Sequence, residues 1–134
     1  MSWAQLRADL PCLQVKLIDF GSAVIEDPSR PRPFYDVFYG TTAYASSEVL
    51  RKRTYRAGPA EVWTLGVLVS YLLTGSSPFP AERDAIDGRV RLEASIERKL
   101  SSSVLELMQM CLEPEPDRRA TIEEVRNHRW LAEA

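Results

Sequence analysis

The stretch "RAGPAEVWTLGVLVSYLLTG", Arg56 to Gly75, decides the fold. Gly58 and Pro59 supply a helix start, since proline's missing N–H costs nothing in a first turn, and Gly75 supplies the stop. Between them the apolar side chains point in almost every direction around the helix axis. Such a helix is enclosed by other helices rather than laid on a surface, so residues 59 to 74 are expected to form the centre of a mainly α structure. The most hydrophobic run, Val62 to Leu73, is too short to span a bilayer and is interrupted by Thr64, Gly66 and Ser70.

Upstream, "VKLIDFGSA" (Val15 to Ala23) reads as a short strand, with Val15, Leu17 and Ile18 ending in a turn at Phe20 and Gly21, so that Asp19 sits at the strand exit. "EDPSRPRPFYD" follows, and its three prolines in six residues forbid helix, so Gly21 to Tyr39 reads as a long loop. Downstream, "SSPFPAERD" reads as a turn with at most a short helix. Ser103 with Glu106, and Thr121 with Glu124, each match the S/T-x-x-E capping pattern. The first would open a helix with Val104, Leu105, Met108, Cys111 and Leu112 on one face. The second would open a final helix that turns Ile122 and Val125 inward. Pro114 and Pro116 break the chain between them.

Composition excludes more than it selects. The 134 residues are 45% apolar and 27% charged, with a formal net charge of −2, the balance of an ordinary globular domain. No overall positive field argues for nucleic acid or an anionic membrane as partner. Cys12 and Cys111 are too far apart for a zinc or CxxC pattern and read as free thiols, while the single histidine, His128, cannot supply a metal cluster. The N-terminus has no long apolar segment of the secretory kind, so a cytoplasmic, intracellular setting is expected.

Taken alone, D-F-G is a weak signal, equally a charged residue capping a turn. Four blocks in order are specific: D-F-G, "GTTAYASSEVL" (Gly40 to Leu50), "EVWTLGVLVSYLLTGSSPF" (Glu61 to Phe79) and "CLEPEPDRRATIEEVRNHRWL" (Cys111 to Leu131). Together they resemble the C-terminal part of a eukaryotic serine/threonine protein kinase domain. The wording of "VKLIDFGSA", "FYDVFYGT" and "YRAGPAEVWTLGVL" is most similar to PAS-domain-containing kinases, near the calcium/calmodulin-dependent branch. The resemblance divides the chain into an unassigned segment at 1–14, the C-terminal part of a kinase domain at 15–131, and a tail at 132–134. It implies a partial large lobe, mainly helical, with a short strand and an activation segment at its start.

The resemblance also implies roles. Phosphoryl transfer concentrates negative charge that Mg²⁺ must bridge, and Asp19 matches the carboxylate that holds the metal beside ATP. Phe20 would pack beneath Asp19, and Gly21 would let the backbone turn. Ser29, Thr41 and Thr42 are the hydroxyls of the activation and substrate loop. Thr41 matches the threonine that supports the peptide substrate, and Ser29 is either a regulatory phosphosite or a solvated loop serine. Glu48 and Arg119 match a structural ion pair. Trp63, Gly66 and Leu68 match the buried helix, and His128 and Trp130 match packing residues.

The pattern is also broken. Ser46-Ser47-Glu48 stands in place of Ala-Pro-Glu, which removes a rigid proline and implies a looser loop. Glu61 replaces an aspartate that anchors the catalytic loop, adding a methylene. The 134 residues contain no Gly-rich loop, no strand lysine with its glutamate and no H-R-D-x-x-x-x-N; Arg7 and Asp9 in "WAQLRADLP" lack the required neighbours. The expectation is a domain whose parent reaction is ATP-dependent phosphorylation of protein Ser or Thr, with little activity in this polypeptide alone. Its partners would be a protein substrate or a docking protein, and an N-terminal lobe. Without such cover, three exposed large side chains of the central helix would cost about 5 to 9 kcal/mol at ~1.5 to 3 each, against a typical stability of ~5 to 15. The rival readings are a non-catalytic docking module and a truncated gene model.

Overall fold

The computed structural model describes residues 16–25, 29 and 33–132. Seven helices occur among them: α1 Ser47–Leu50, α2 Ala57–Thr74, α3 Glu82–Ile86, α4 Ala94–Glu97, α5 Ser102–Cys111, α6 Ile122–Arg126 and α7 Arg129–Ala132. Two 3₁₀ turns, Phe20–Ser22 and Thr42–Tyr44, lie ahead of α1. The domain is mainly helical. Among the described residues the only β pairing is an isolated antiparallel bridge between Tyr35 and Tyr55, with backbone bonds of 2.8 and 2.9 Å. Lys16 to Asp19 are without regular structure, and Leu17 and Ile18 are exposed. A strand needs a neighbour to satisfy its backbone, and no described residue pairs with these; Val15 and Cys12 lie outside the described residues.

Helix α2 is the axis of the structure. It begins at Ala57, so Pro59 falls in the first turn, and it ends where Gly75 adopts φ 74° and returns its N–H to the Tyr71 carbonyl at 2.9 Å. Two clusters pack on it. Val62 joins Leu107, Cys111, Ala120 and Val125 on one side. Trp63 and Val67 join Phe79, Ala85 and Leu112 on the other, with the Trp63 and Phe79 rings stacked at 5.1 Å. The enclosure is incomplete among the described residues. Leu68 is 41% and Leu72 75% exposed, forming with Glu61 an open stripe along α2.

Helix α5 crosses α2 closely because Gly66 has no side chain: a Cβ there would lie 2.7 Å from Cys111 Cβ and 2.9 Å from Leu112 Cδ2. The cap of α5 is Ser101, whose side chain accepts from Val104 N–H, not Ser103. In a run of three serines the earliest takes the cap, which puts Ser103 inside the helix and frees Glu106 to pair with Arg129 at 2.6 Å. The Thr121–Glu124 capping box does form, with bonds of 2.7 and 3.2 Å. Behind it Val125 is buried, but Ile122 is 54% exposed, because a helix of five residues presents only one of these positions to the core.

Gly66→Ala is expected to lower stability by about 1 to 3 kcal/mol, since the new methyl meets the packed side chains of Cys111 and Leu112 at the end of α5. A thermal melt of the 134-residue chain checks this; an unchanged midpoint would show that α5 can move away freely.

Candidate functional site

Two regions carry the residues singled out in the sequence, and they differ sharply in how firmly they are held. The first is the turn at Asp19. Asp19 adopts a left-handed conformation, φ 62° and ψ 67°, before the Phe20–Ser22 turn. Aspartate is among the few side chains that tolerate this region. Gly21 leaves ordinary space, with a would-be Cβ 3.5 Å from Asp19 Oδ1. Phe20 is 68% exposed among the described residues. A carboxylate is the right donor for a hard cation, but Mg²⁺ demands several oxygens in octahedral array. Among the described residues no group of three or more His, Cys, Asp or Glu side chains stands together. Asp19 alone is not a metal site.

The second region is built around Arg119. Its side chain is fully buried, and Glu48 is nearly so. Nη1 donates to Glu48 Oε1 at 2.9 Å and Nη2 to Glu48 Oε2 at 2.7 Å, a bidentate fork. The other donors reach backbone carbonyls: Nε to Glu113 at 2.8 Å, Nη1 to Pro59 at 2.7 Å, and Nη2 to Pro114 at 3.4 Å. Thus all the guanidinium N–H groups are satisfied. The Trp63 ring lies 5.0 Å from the guanidinium carbon, so the cation also rests on an aromatic face. Burial works to raise the Glu48 pKa, but the hydrogen bonds and charge of Arg119 outweigh it and hold the carboxyl below its usual range.

Around this pair the loop "EPEPD", Glu113 to Asp117, is fixed to the segment 47–56. Arg51 pairs with Glu115 at 2.9 Å, Arg56 pairs with Asp117, and the Ser47 hydroxyl donates to the Pro114 carbonyl. Ser46 and Ser47 are both buried, so the segment end is held firmly where a looser loop was expected. The sequence reading missed Arg51 and Arg56; acids alternating with stiff prolines, opposite "RKRTYR", are the signal that marks them.

Thr41 and Thr42 are exposed at the start of the 3₁₀ turn, where the Thr41 carbonyl accepts from Tyr44 N–H at 2.9 Å. Thr42 borders a cavity of about 340 Å³ lined also by Ala45, Leu50, Tyr71, Phe79 and Ala85. Glu61 lies on a second cavity, about 370 Å³, with Tyr35, Phe38, Ser46, Tyr55 and Thr64. Ser29 is exposed in a turn. Among the described residues neither Thr41 nor Thr42 is hydrogen-bonded to Asp19, and both lie at the surface of the 3₁₀ turn.

Other ionisable groups have structural work. Asp84 is buried on α3; burial works to raise its pKa, yet Arg91 and Arg89, at 3.2 and 3.3 Å, outweigh it and hold it low. Nothing in the spacing marked this cluster. His128 is buried and accepts Trp130 N–H at Nδ1, 3.3 Å, with Nε2 3.7 Å from Glu106. Burial pushes the Cys111 thiol up to about 11, so it is not a reactive nucleophile.

Breaking the buried pair by Arg119→Met or Glu48→Ala leaves one charge unpaired and is expected to cost about 3 to 5 kcal/mol, read as a loss of thermal midpoint. The pH dependence has a definite sign. Because folding depresses the Glu48 pKa, its stabilisation is present above the unfolded value, about 4.3, and is lost as pH falls below that through the folded value. Melts from pH 6 to pH 2.5 should show the midpoint falling in the acid range, and Glu48→Gln should flatten that part of the curve; an identical slope in the variant would remove Glu48 as its source.

The sequence matches the protein kinase domain family over residues 8–131. It is 37% identical to serine/threonine-protein kinase PSK2 of Saccharomyces cerevisiae, across 87% of this chain and 10% of that protein. CBL-interacting protein kinase 25 of Oryza sativa subsp. japonica is 33% identical, across 87% of this chain and 23% of its own length. Probable serine/threonine-protein kinase MARK-A of Dictyostelium discoideum is 31% identical, across 89% and 11% respectively. The chain therefore spans a quarter or less of the length of these three relatives. With the family matched over nearly its whole length and the blocks in order, the chain belongs to the eukaryotic serine/threonine protein kinase domain family, broadly similar to its calcium/calmodulin-dependent branch.

Proposed function

We propose that residues 15–131 form the C-terminal part of a serine/threonine protein kinase domain, with 1–14 and 132–134 as flanks. The parent reaction moves the terminal phosphoryl group of ATP to a Ser or Thr hydroxyl of a protein. The bond from phosphorus to the bridging oxygen breaks, a bond to the hydroxyl oxygen forms, and the hydroxyl proton leaves. The supporting observation is the buried Glu48–Arg119 fork, which ties the segment Gly40–Glu48 to the closing block Cys111–Leu131. In this reading Asp19 supplies one ligand to Mg²⁺, while Phe20 and Gly21 shape the turn beside ATP. Thr41 and Thr42 face the protein substrate, and Ser29 lies on the activation loop. The stretches that set the chain beside the calcium/calmodulin-dependent branch also favour a PAS-kinase-like subgroup, and the setting is intracellular. No nucleic-acid partner is proposed. No helix among the described residues is long and apolar enough to cross a membrane.

Phosphoryl transfer is catalysed mainly by positioning and electrostatic stabilisation. The 134 residues hold one carboxylate of that apparatus, so this polypeptide alone is expected to be inactive. The docking-module reading is favoured by one observation, the open stripe of Leu68 and Leu72 on α2.

The deciding experiment offers labelled ATP, Mg²⁺ and a mixed Ser/Thr peptide pool to the 134-residue chain and to a chimera that adds the upstream kinase segments of a relative. The chain alone should give background transfer. The chimera should be active, and Asp19→Ala in it should reduce kcat by at least about a hundredfold, the scale for losing a major electrostatic contributor. Transfer by the chain alone, abolished by Asp19→Ala, would sink the inactivity reading; a chimera that folds but never transfers phosphate would favour the docking module.

A further inference from the structure

Ser47 stands where the resemblance implies a proline, and the backbone around it is still shaped for one. Ser46 has φ −71° and ψ 161°, the extended conformation that a residue before proline is pushed into. Ser47 is the first residue of α1, the helical position whose N–H has no partner within the helix and where proline is tolerated without loss. A serine here has more freedom in the unfolded chain than a proline would, so the same turn costs more entropy to form. Something must restore the definition that the ring would give.

The Ser47 side chain is placed to do so. It is fully buried, and its hydroxyl donates to the Pro114 carbonyl across 67 residues of sequence, with Glu48 Oε2 at 3.3 Å on its other side. The same Pro114 carbonyl accepts from Arg119 Nη2 at 3.4 Å. The hydroxyl has one proton to donate, and Glu48 Oε2 already accepts from Arg119 Nη2 at 2.7 Å. Ser47 therefore joins the turn ahead of α1 to the loop that carries the fork, one residue from Glu48. We propose that Ser47 is a positioning residue, whose hydroxyl bond to Pro114 fixes the end of the 40–48 segment in place of a proline ring. The inference rests on the kinase reading only for what that segment presents to a protein substrate; the tether is independent of it.

Hydrogen exchange on the 134-residue chain tests this with Ser47→Ala and Ser47→Pro. The amides of Tyr44, Ala45 and Leu50, which bond to the carbonyls of Thr41, Thr42 and Ser46, report on the segment, while that of Asn127, bonded to Glu123, reports on a distant helix. Ser47→Ala should speed exchange at the first three by about tenfold, the scale of one lost hydrogen bond, and leave Asn127 unchanged. Ser47→Pro should restore wild-type protection, because the ring replaces the tether and Arg119 still serves the Pro114 carbonyl. If Ser47→Ala unfolds the whole chain while Ser47→Pro stays folded and protected, the tether is again supported. Unchanged protection in Ser47→Ala overturns it. So does loss of protection or unfolding in both variants, which would mark Ser47 as needed for its shape alone. An inactive chimera in the phosphotransfer assay would remove the substrate role and leave these outcomes readable.

Discussion

The buried fork between Arg119 and Glu48 is the constraint on which the arrangement of the loops depends. Taking two charges out of water is expensive, and their attraction repays it only where geometry is good and every remaining donor is met. Here the requirement is satisfied through five acceptors, two on one carboxylate and three on the backbone at Pro59, Glu113 and Pro114. Each acceptor belongs to a segment that must be in place for the charge to be buried at all. The start of α2, the turn into α1 and the loop between α5 and α6 are therefore positioned by one cation, and a shift in any of them strands part of its hydrogen bonding.

That coupling explains why the fork sits against Trp63. The indole is fully buried between Phe79, stacked at 5.1 Å, and the guanidinium, 5.0 Å from its ring. The apolar cluster on one side of α2 and the polar network at its N-terminal end thus share a side chain. One turn further along, the absence of a side chain at Gly66 brings Cys111 and Leu112 against the helix. A large aromatic residue and, one turn on, a glycine let a single helix serve a loop network and a close helix crossing at once. The open stripe at Leu68 and Leu72 is the face left over.

Much of the fold was legible where local chemistry decides it. The length and stop of α2 follow from Pro59 and Gly75, and the Thr121–Glu124 box needs only two residues at fixed spacing. Legibility failed where several residues compete for one role. Three consecutive serines offered three caps to α5, and Ser101 took it; Ile122 and Val125 both fit an inward face that was wide enough for one. The strand expected at Leu17 and Ile18 is not seen among the described residues, and a strand is defined by a neighbour that sequence periodicity does not supply. Contacts across long separations were beyond spacing altogether. Glu48 and Arg119 are 71 residues apart and are paired in the sequence by resemblance alone, whereas Asp84 with Arg89 and Arg91 had no resemblance to lead to it.

The two regions of the candidate site differ in a way that follows from what holds them. The side chains of Ser47 and Glu48 are buried and bonded to Pro114 and Arg119, far away in the chain, so tertiary structure helps to set the turn's geometry. Among the described residues the turn at Asp19 is set by its own backbone: a left-handed aspartate, then a 3₁₀ turn closed by Ala23 N–H to the Phe20 carbonyl at 3.0 Å, with Phe20 exposed. A carboxylate held only by local turns can be aimed by whatever packs against it, and a lone carboxylate in water gains little from a divalent ion until other oxygens share it. Among the described residues, then, the tightly bonded part of the candidate site is the 47–48 turn with Arg119, and Asp19 stands apart from it on a locally formed turn.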